Sequence, residues 1–228
     1  MSGFQNDPRP VDAHRHGPVD RRAVLALRCV TLAEVEEDRF EDPGPLSVGL
    51  HPWDVRADCW ASDLLRLESR AVSDPRIVAI GEAGMDRSRG PDPSLQEDAF
   101  VAQAELATRL ALPLVAHCVR SASDLLGIHR RLRSHSPWIL HGWNGSAAQT
   151  GDLLDKTDFV FSFGASLLRE DSKARTSVAI VPDERILLET DTADVAIESV
   201  ERAAAELRGT APANLRTRLH ANWRALFA

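Results

Sequence analysis

The sequence predicts an α/β fold, a (β/α)8 TIM barrel with a reduced N-terminal quarter. Three observations carry this. Eight short apolar runs, rich in β-branched residues, recur along the 228 residues. Most of them are followed by a helical pattern. The runs are nearly continuous rather than alternating, as expected of parallel strands buried on both faces.

The first three strands are read at Val11–His16, Val24–Leu32 and Pro45–His51. The links between them, Gly17 to Ala23 and Ala33 to Gly44, are short for helical crossovers, which usually need a dozen or more residues. They form the reduced quarter and leave room for one antiparallel pairing. Ile77–Gly84 is the fourth strand. A clear helix follows, with Ser94 and Glu97 in a capping-box pattern and Leu95, Ala99, Ala102, Leu106 and Leu110 on one face. Leu114–Val119, Trp138–Trp143, Phe159–Phe163 and Ile186–Asp191 complete the eight. Helices are expected to start near Ser121, Ser146 and Ala193, and a last one runs from about Ala213 to Phe227. No repeat or composition break divides the chain, so residues 1–228 are read as a single domain.

Composition narrows the function classes. The hydrophobic fraction of 43% and charged fraction of 27% are those of an ordinary globular protein. With 27 basic and 34 acidic residues the formal charge is −7, which argues against a generally basic nucleic-acid coat but leaves a local basic groove open. Cys29, Cys59 and Cys118 lie far apart, an odd and sparse set that fits a reducing compartment. The opening MSGFQNDPRP lacks a basic-then-apolar leader pattern, and no apolar run is long enough to span a membrane. A cytoplasmic protein is expected.

The chemistry begins at Val11-Asp12-Ala13-His14-Arg15-His16. On a strand, residues i and i+2 share a face, so His14 and His16 project together. Taken alone, the pair reads equally well as two metal ligands or two ordinary surface histidines. Later strand ends break the tie. Glu82 closes IVAIGEAG, His117 closes LPLVAHC, His141 closes WILHGW and Asp191 closes ILLETD. In a barrel those ends converge on one face, where active sites are built. Four imidazoles and two carboxylates suit borderline ions such as Zn²⁺ or Mn²⁺. Six donors exceed one tetrahedral zinc and fit two divalent ions about 3.5–4 Å apart with a shared carboxylate. Each residue alone has a plainer reading, but an ionised carboxylate inside a barrel is costly unless paired or metal-bound.

The order of these motifs resembles the TatD family of metal-dependent hydrolases, within the wider amidohydrolase-like barrels. DAHRH resembles its opening DxHxH, GLHPW its GxHP segment, AIGEAGMD its AIGExGLD, PLVAHC its PxxxHS and HGWNGS its HCFSGS. LLLETD is nearly the family's own, and ANWRALF resembles its closing N-x-x-x-LF helix. The resemblance implies two divalent ions (Zn²⁺, Mn²⁺ or Mg²⁺), one held by His14, His16, Glu82 and Asp191, the other by Glu82, His117 and His141. It implies a phosphodiesterase, a deoxyribonuclease of the 3'-5' exonuclease kind acting on DNA or another phosphodiester through a hydroxide formed on the ions. Asp191 would be general base and Glu82 the bridge. The alternative is a metal-dependent amide or ester hydrolase acting on a small molecule, since the same donors serve a carbonyl nearly as well.

Around this set, Asp12 is expected to support the ligands and Asp86 to orient them. His51 reads as substrate-binding ahead of a structural histidine, and Arg87 or Arg120 reads equally well as a phosphate partner or a solvated surface arginine. Cys118 is expected on the helix-packed face, as core. His129, His135 and His220 are read as ordinary helical histidines. Trp53, Trp60, Trp143 and Phe163 are possible base-stacking residues. Trp53 stands where many family members have a second histidine, Val119 where a basic residue often follows, and Thr192-Ala193-Asp194-Val195 replaces a proline-containing loop. These departures touch substrate recognition, not the donors. Neither a membrane nor an obligate protein partner is indicated.

Overall fold

The computed structural model describes residues 9–37 and 42–228. Its strands are β1 (Val11–Arg15), β2 (Leu25–Thr31), β3 (Leu46–Gly49), β4 (Ile77–Asp86), β5 (Leu114–Val119), β6 (Trp138–Leu140), β7 (Val160–Phe163) and β8 (Ile186–Leu188). They form one sheet in chain order, and every neighbouring pair is parallel. The sheet closes where Arg15 bridges Asp191. There the Asp191 amide donates to the His14 carbonyl at 2.9 Å, and the His16 amide donates to the Asp191 carbonyl at 3.2 Å. The barrel is therefore sealed by backbone belonging to three of the residues that the sequence singles out.

The reduced N-terminal quarter is present, but the antiparallel pairing is not. Nine residues separate β1 from β2, and nine residues reach about 30 Å when extended. A five-residue strand is only about 17 Å long. The chain thus returns to the bottom of the sheet without a helix, and parallel pairing survives. Among the described residues between β2 and β3 lies a short helix, α1 (Leu32–Glu36), capped by Thr31 and Glu34 in a reciprocal box. Residues 38–41 of that link lie outside the described residues.

The remaining helices are α2 (Trp60–Ser73), α3 (Pro93–Leu110), α4 (Ala122–Leu132), α5 (Ala147–Lys156), α6 (Ala174–Val178), α7 (Ile197–Leu207) and α8 (Pro212–Phe227). The pattern reading assigns no helix at α2, whose apolar stripe is blurred by exposed Leu65 and Val72. α3 starts earlier than expected. Its cap is Asp92, which accepts from the Ser94 amide at 2.9 Å, with Pro93 in the first turn. α5 carries the Ser146–Gln149 capping box. α7 begins four residues after Ala193. His135 lies in the loop after α4 rather than in a helix. Among the described residues no helix is long and apolar enough to cross a membrane.

Candidate metal centre

All six donor-bearing residues expected from the sequence meet at the carboxyl ends of the strands. β1 supplies His14, and His16 follows directly after its last residue. Glu82 lies inside β4, which runs two residues further than the strand read from the sequence. Gly81 and Gly84 flank it with positive φ, and a Cβ at either would press into the β5 backbone at Val115 or His117. Glycines there let β4 pass close to β5 with Glu82 turned inward. His117 is on β5, His141 is the first residue past the shortened β6, and Asp191 is the third past the shortened β8.

The geometry centres on the Glu82 carboxylate. Its Oε2 lies 3.4 Å from His14 Nε2 and 3.5 Å from His16 Nε2. Those two nitrogens are 3.7 and 3.6 Å from Asp191 Oδ1. Its Oε1 lies 2.5 Å from His117 Nδ1, 2.7 Å from His141 Nε2 and 3.1 Å from His51 Nε2. One carboxylate therefore faces two separate groups of donors, one with each oxygen. His14 is 1% exposed, and neither of its ring nitrogens makes a hydrogen bond among the described residues. A buried imidazole normally has a partner, so this orphaned ring is a side chain with room for a cation. The mixed N/O donor set and the orphaned ring fit divalent ions.

The electrostatics agree. Burial works against the Glu82 charge, but His141, His117 and His14 outweigh it and hold the carboxyl well below its ordinary range. For His141, burial opposes protonation, yet Glu82 and Glu189 raise it well above the usual imidazole value. The hydrogen bond to Glu82 likewise raises His16.

Two residues of the cluster escape the sequence reading. Glu189 is fully buried. Its Oε1 accepts from the Gly142 amide at 2.6 Å and lies 3.5 Å from His141 Nδ1. The i, i+2 rule that joins His14 to His16 also joins Glu189 to Asp191 and is the signal that finds it. Cys29 is the other. Its sulfur and donor atoms of His14, His16 and Glu82 all lie within 4.8 Å of one another. Burial, then Glu82, raises the thiol well above its ordinary value.

The flanking residues divide. Asp12 is inaccessible and accepts the Thr190 amide at 3.0 Å and the Thr190 hydroxyl at 2.7 Å. It supports the cluster by clasping β1 to the strand end before Asp191, not by touching a histidine. Asp86 lies 3.5 Å from His117 Nε2. Burial disfavours its charge, but Ser88, the Trp53 indole and His117 hold it down at about 2. His51 reaches the Oε1 group with Nε2 and also lines a cavity with Asp54, Trp60 and Arg66. Arg87 is not brought to the cluster: Asp124 holds it at 2.8 and 2.9 Å.

Arg120 lines a groove of about 780 Å³ beside the centre, together with Lys173, Asn144, Gln149 and Gly142. Cys118 lines the same groove and is half-buried rather than sealed in the core, although burial pushes its thiol up to about 11. Of the aromatic candidates, Trp143 and Phe163 are buried and Trp60 half-buried. Trp53, at 38%, is exposed, with Arg89 over its ring at 3.9 Å.

Comparison with known proteins gives a consistent picture. Residues 25–228 match the family model described as TatD related DNase. The 3'-5' ssDNA/RNA exonuclease TatD of Klebsiella pneumoniae (strain 342) is 34% identical over 154 residues, 64% of this chain and 56% of that protein. An uncharacterized metal-dependent hydrolase TatD of Mycobacterium tuberculosis is 34% identical over 152 residues, again 64% and 56%. The match thus spans little more than half the length of these relatives. A TatD homologue from Escherichia coli K12, YJJV, superposes with a TM-score of 0.78 at 24% identity, covering 96% of this chain and 98% of that one. That likeness establishes the barrel fold.

Proposed function

Because the chain belongs to the family of TatD-related DNases, we propose that it is a divalent-metal-dependent phosphodiesterase that removes nucleotides from the 3' end of single-stranded DNA. The observation that carries this reading is Glu82, whose two oxygens face two groups of donors. In this reading His14, His16, Glu82 and Asp191 would hold one ion, and Glu82, His117 and His141 would hold a second. His51 joins the second group. When bound, the ions supply Lewis acidity toward the phosphorus centre and acidify a water.

The side chains do the rest. Asp191 is 39% exposed, the most open member of the first group. It stands between solvent and the buried donors, so its carboxylate receives the proton of the attacking water. Glu82 and Glu189 keep His141 fixed from opposite edges of its ring. Arg120 and Lys173 offer positive charge along the adjoining groove, where the rest of a polyanionic strand would lie. The acidic balance of the whole chain does not oppose this, because attraction depends on local charge.

The test is a single-stranded oligonucleotide labelled at one end, given to protein loaded with Mg²⁺, Mn²⁺ or Zn²⁺. Stepwise shortening from the 3' end is expected, abolished by chelator. Asp191→Asn should reduce it by about 10²-fold or more, the usual weight of a proton-transfer group. An intact oligonucleotide with every metal, alongside cleavage of a small ester or amide, would transfer the assignment to small-molecule hydrolysis.

A further inference from the structure

The first group of donors contains a sulfur. Cys29 lies on β2, beside β1, and is 4% exposed. Leu27 and Val30, its neighbours on the strand, join the contiguous apolar cluster of the barrel, whereas Cys29 is not part of it. Its sulfur instead shares a sphere of 4.8 Å with His14, His16 and Glu82. Within that group His14 is buried with both ring nitrogens lacking a hydrogen bond.

We propose that Cys29 is a sulfur donor to the cation held by His14, His16 and Glu82, and that it biases this half of the centre toward thiophilic ions. The inference rests on the two-ion reading above and specifies the chemistry of one of its sites. Together with Asp191 this makes two imidazoles, two carboxylates and one thiolate, a borderline set that suits Zn²⁺, Co²⁺ or Cd²⁺. Mg²⁺ prefers an all-oxygen octahedron and gains little from sulfur. As the ion enters, the thiol proton passes to solvent and a sulfur lone pair forms the metal–sulfur bond. No electron is transferred. The other half, with His51, His117 and His141 around Oε1, has no sulfur, so the two sites differ in the ion they select.

Cobalt distinguishes this from a cysteine that merely fills space. Metal-free full-length protein is titrated with Co²⁺ and its absorption followed. The proposal expects visible d–d bands together with a near-ultraviolet sulfur-to-cobalt charge-transfer band. Cys29→Ser should lose the charge-transfer band and keep the d–d bands, whereas Cys118→Ser should keep both. In competition, the preference for Zn²⁺ over Mg²⁺ should fall at least tenfold in Cys29→Ser. Should that variant not fold, wild-type protein still decides: Zn²⁺ should protect Cys29 from alkylation, read peptide by peptide, and the cadmium resonance of the Cd²⁺ form should show sulfur ligation. Bands from bound cobalt with no charge-transfer component would overturn the Cys29 assignment and leave the metal centre intact. A protein that takes up no cobalt at all would overturn the metal centre itself.

Discussion

Asp12→Asn tests the clasp that brings His14 to Asp191. Asp12 is inaccessible, and burial pushes its carboxyl up from 3.8 to about 6, against the Thr190 hydrogen bonds that favour its charge. In the unfolded chain the carboxyl ionises near its ordinary value. Between the two values the unfolded chain has released the proton and the folded protein retains it. Stability is therefore greatest below the unfolded value and declines as pH rises through the folded one. A gap of about two pH units, at about 1.4 kcal/mol each, makes the loss about 3 kcal/mol. Asparagine has the same shape, still accepts the Thr190 amide and does not titrate.

In metal-free protein, wild type and variant should have similar stability near pH 4, and the variant should gain on the wild type up to about pH 8. For a chain of this size about 3 kcal/mol corresponds to about 6–12 °C in Tm. The assay is thermal or urea unfolding of both proteins in chelator across that range. A stability difference that does not change with pH would refute the reasoning, because it would mean that Asp12 ionises alike in both states.

Other outcomes follow from the same geometry. Glu189→Gln keeps the acceptor for the Gly142 amide but removes the charge beside His141. Metal affinity at the Oε1 group should fall about 10–100-fold, measured by competition with a chromophoric chelator. Arg120→Ala should raise the KM for an oligonucleotide and lower the slope of log affinity against log salt by about one, whereas Arg87→Ala should change neither, since Asp124 already occupies that guanidinium. Metal uptake should weaken as pH falls, because His16 and His141 are raised by Glu82 and hold their protons against an incoming cation. Calorimetric titration in buffers of different ionisation heat should detect proton release on binding. Its absence would contradict the upward shifts of His16 and His141.

The eight strands were legible because apolar runs with helical punctuation admit few other folds, but the parallel pairing of the first two was not, since their link is too short for a helical crossover. The six donors were legible for a related reason: a charged or imidazole side chain at the end of an apolar strand is conspicuous, and in a barrel such ends converge. The limits of the strands were not legible. Gly81 and Gly84 let β4 continue past Glu82, and this depends on how closely β5 approaches. Ser94 reads as a cap until Asp92 and Pro93 start α3 sooner.

Arg87 and Arg120 look alike in the chain. Asp124, 37 residues from Arg87, is what separates them. Cys29 and Glu189 sit in runs that read as plain strand interior, and Asp12 looks like one more polar neighbour of a histidine pair. Periodicity along one strand says which face a residue takes. Which partners it meets there is decided across strands, by the register of the sheet and by the turn at Asp191 that brings the last strand back against the first.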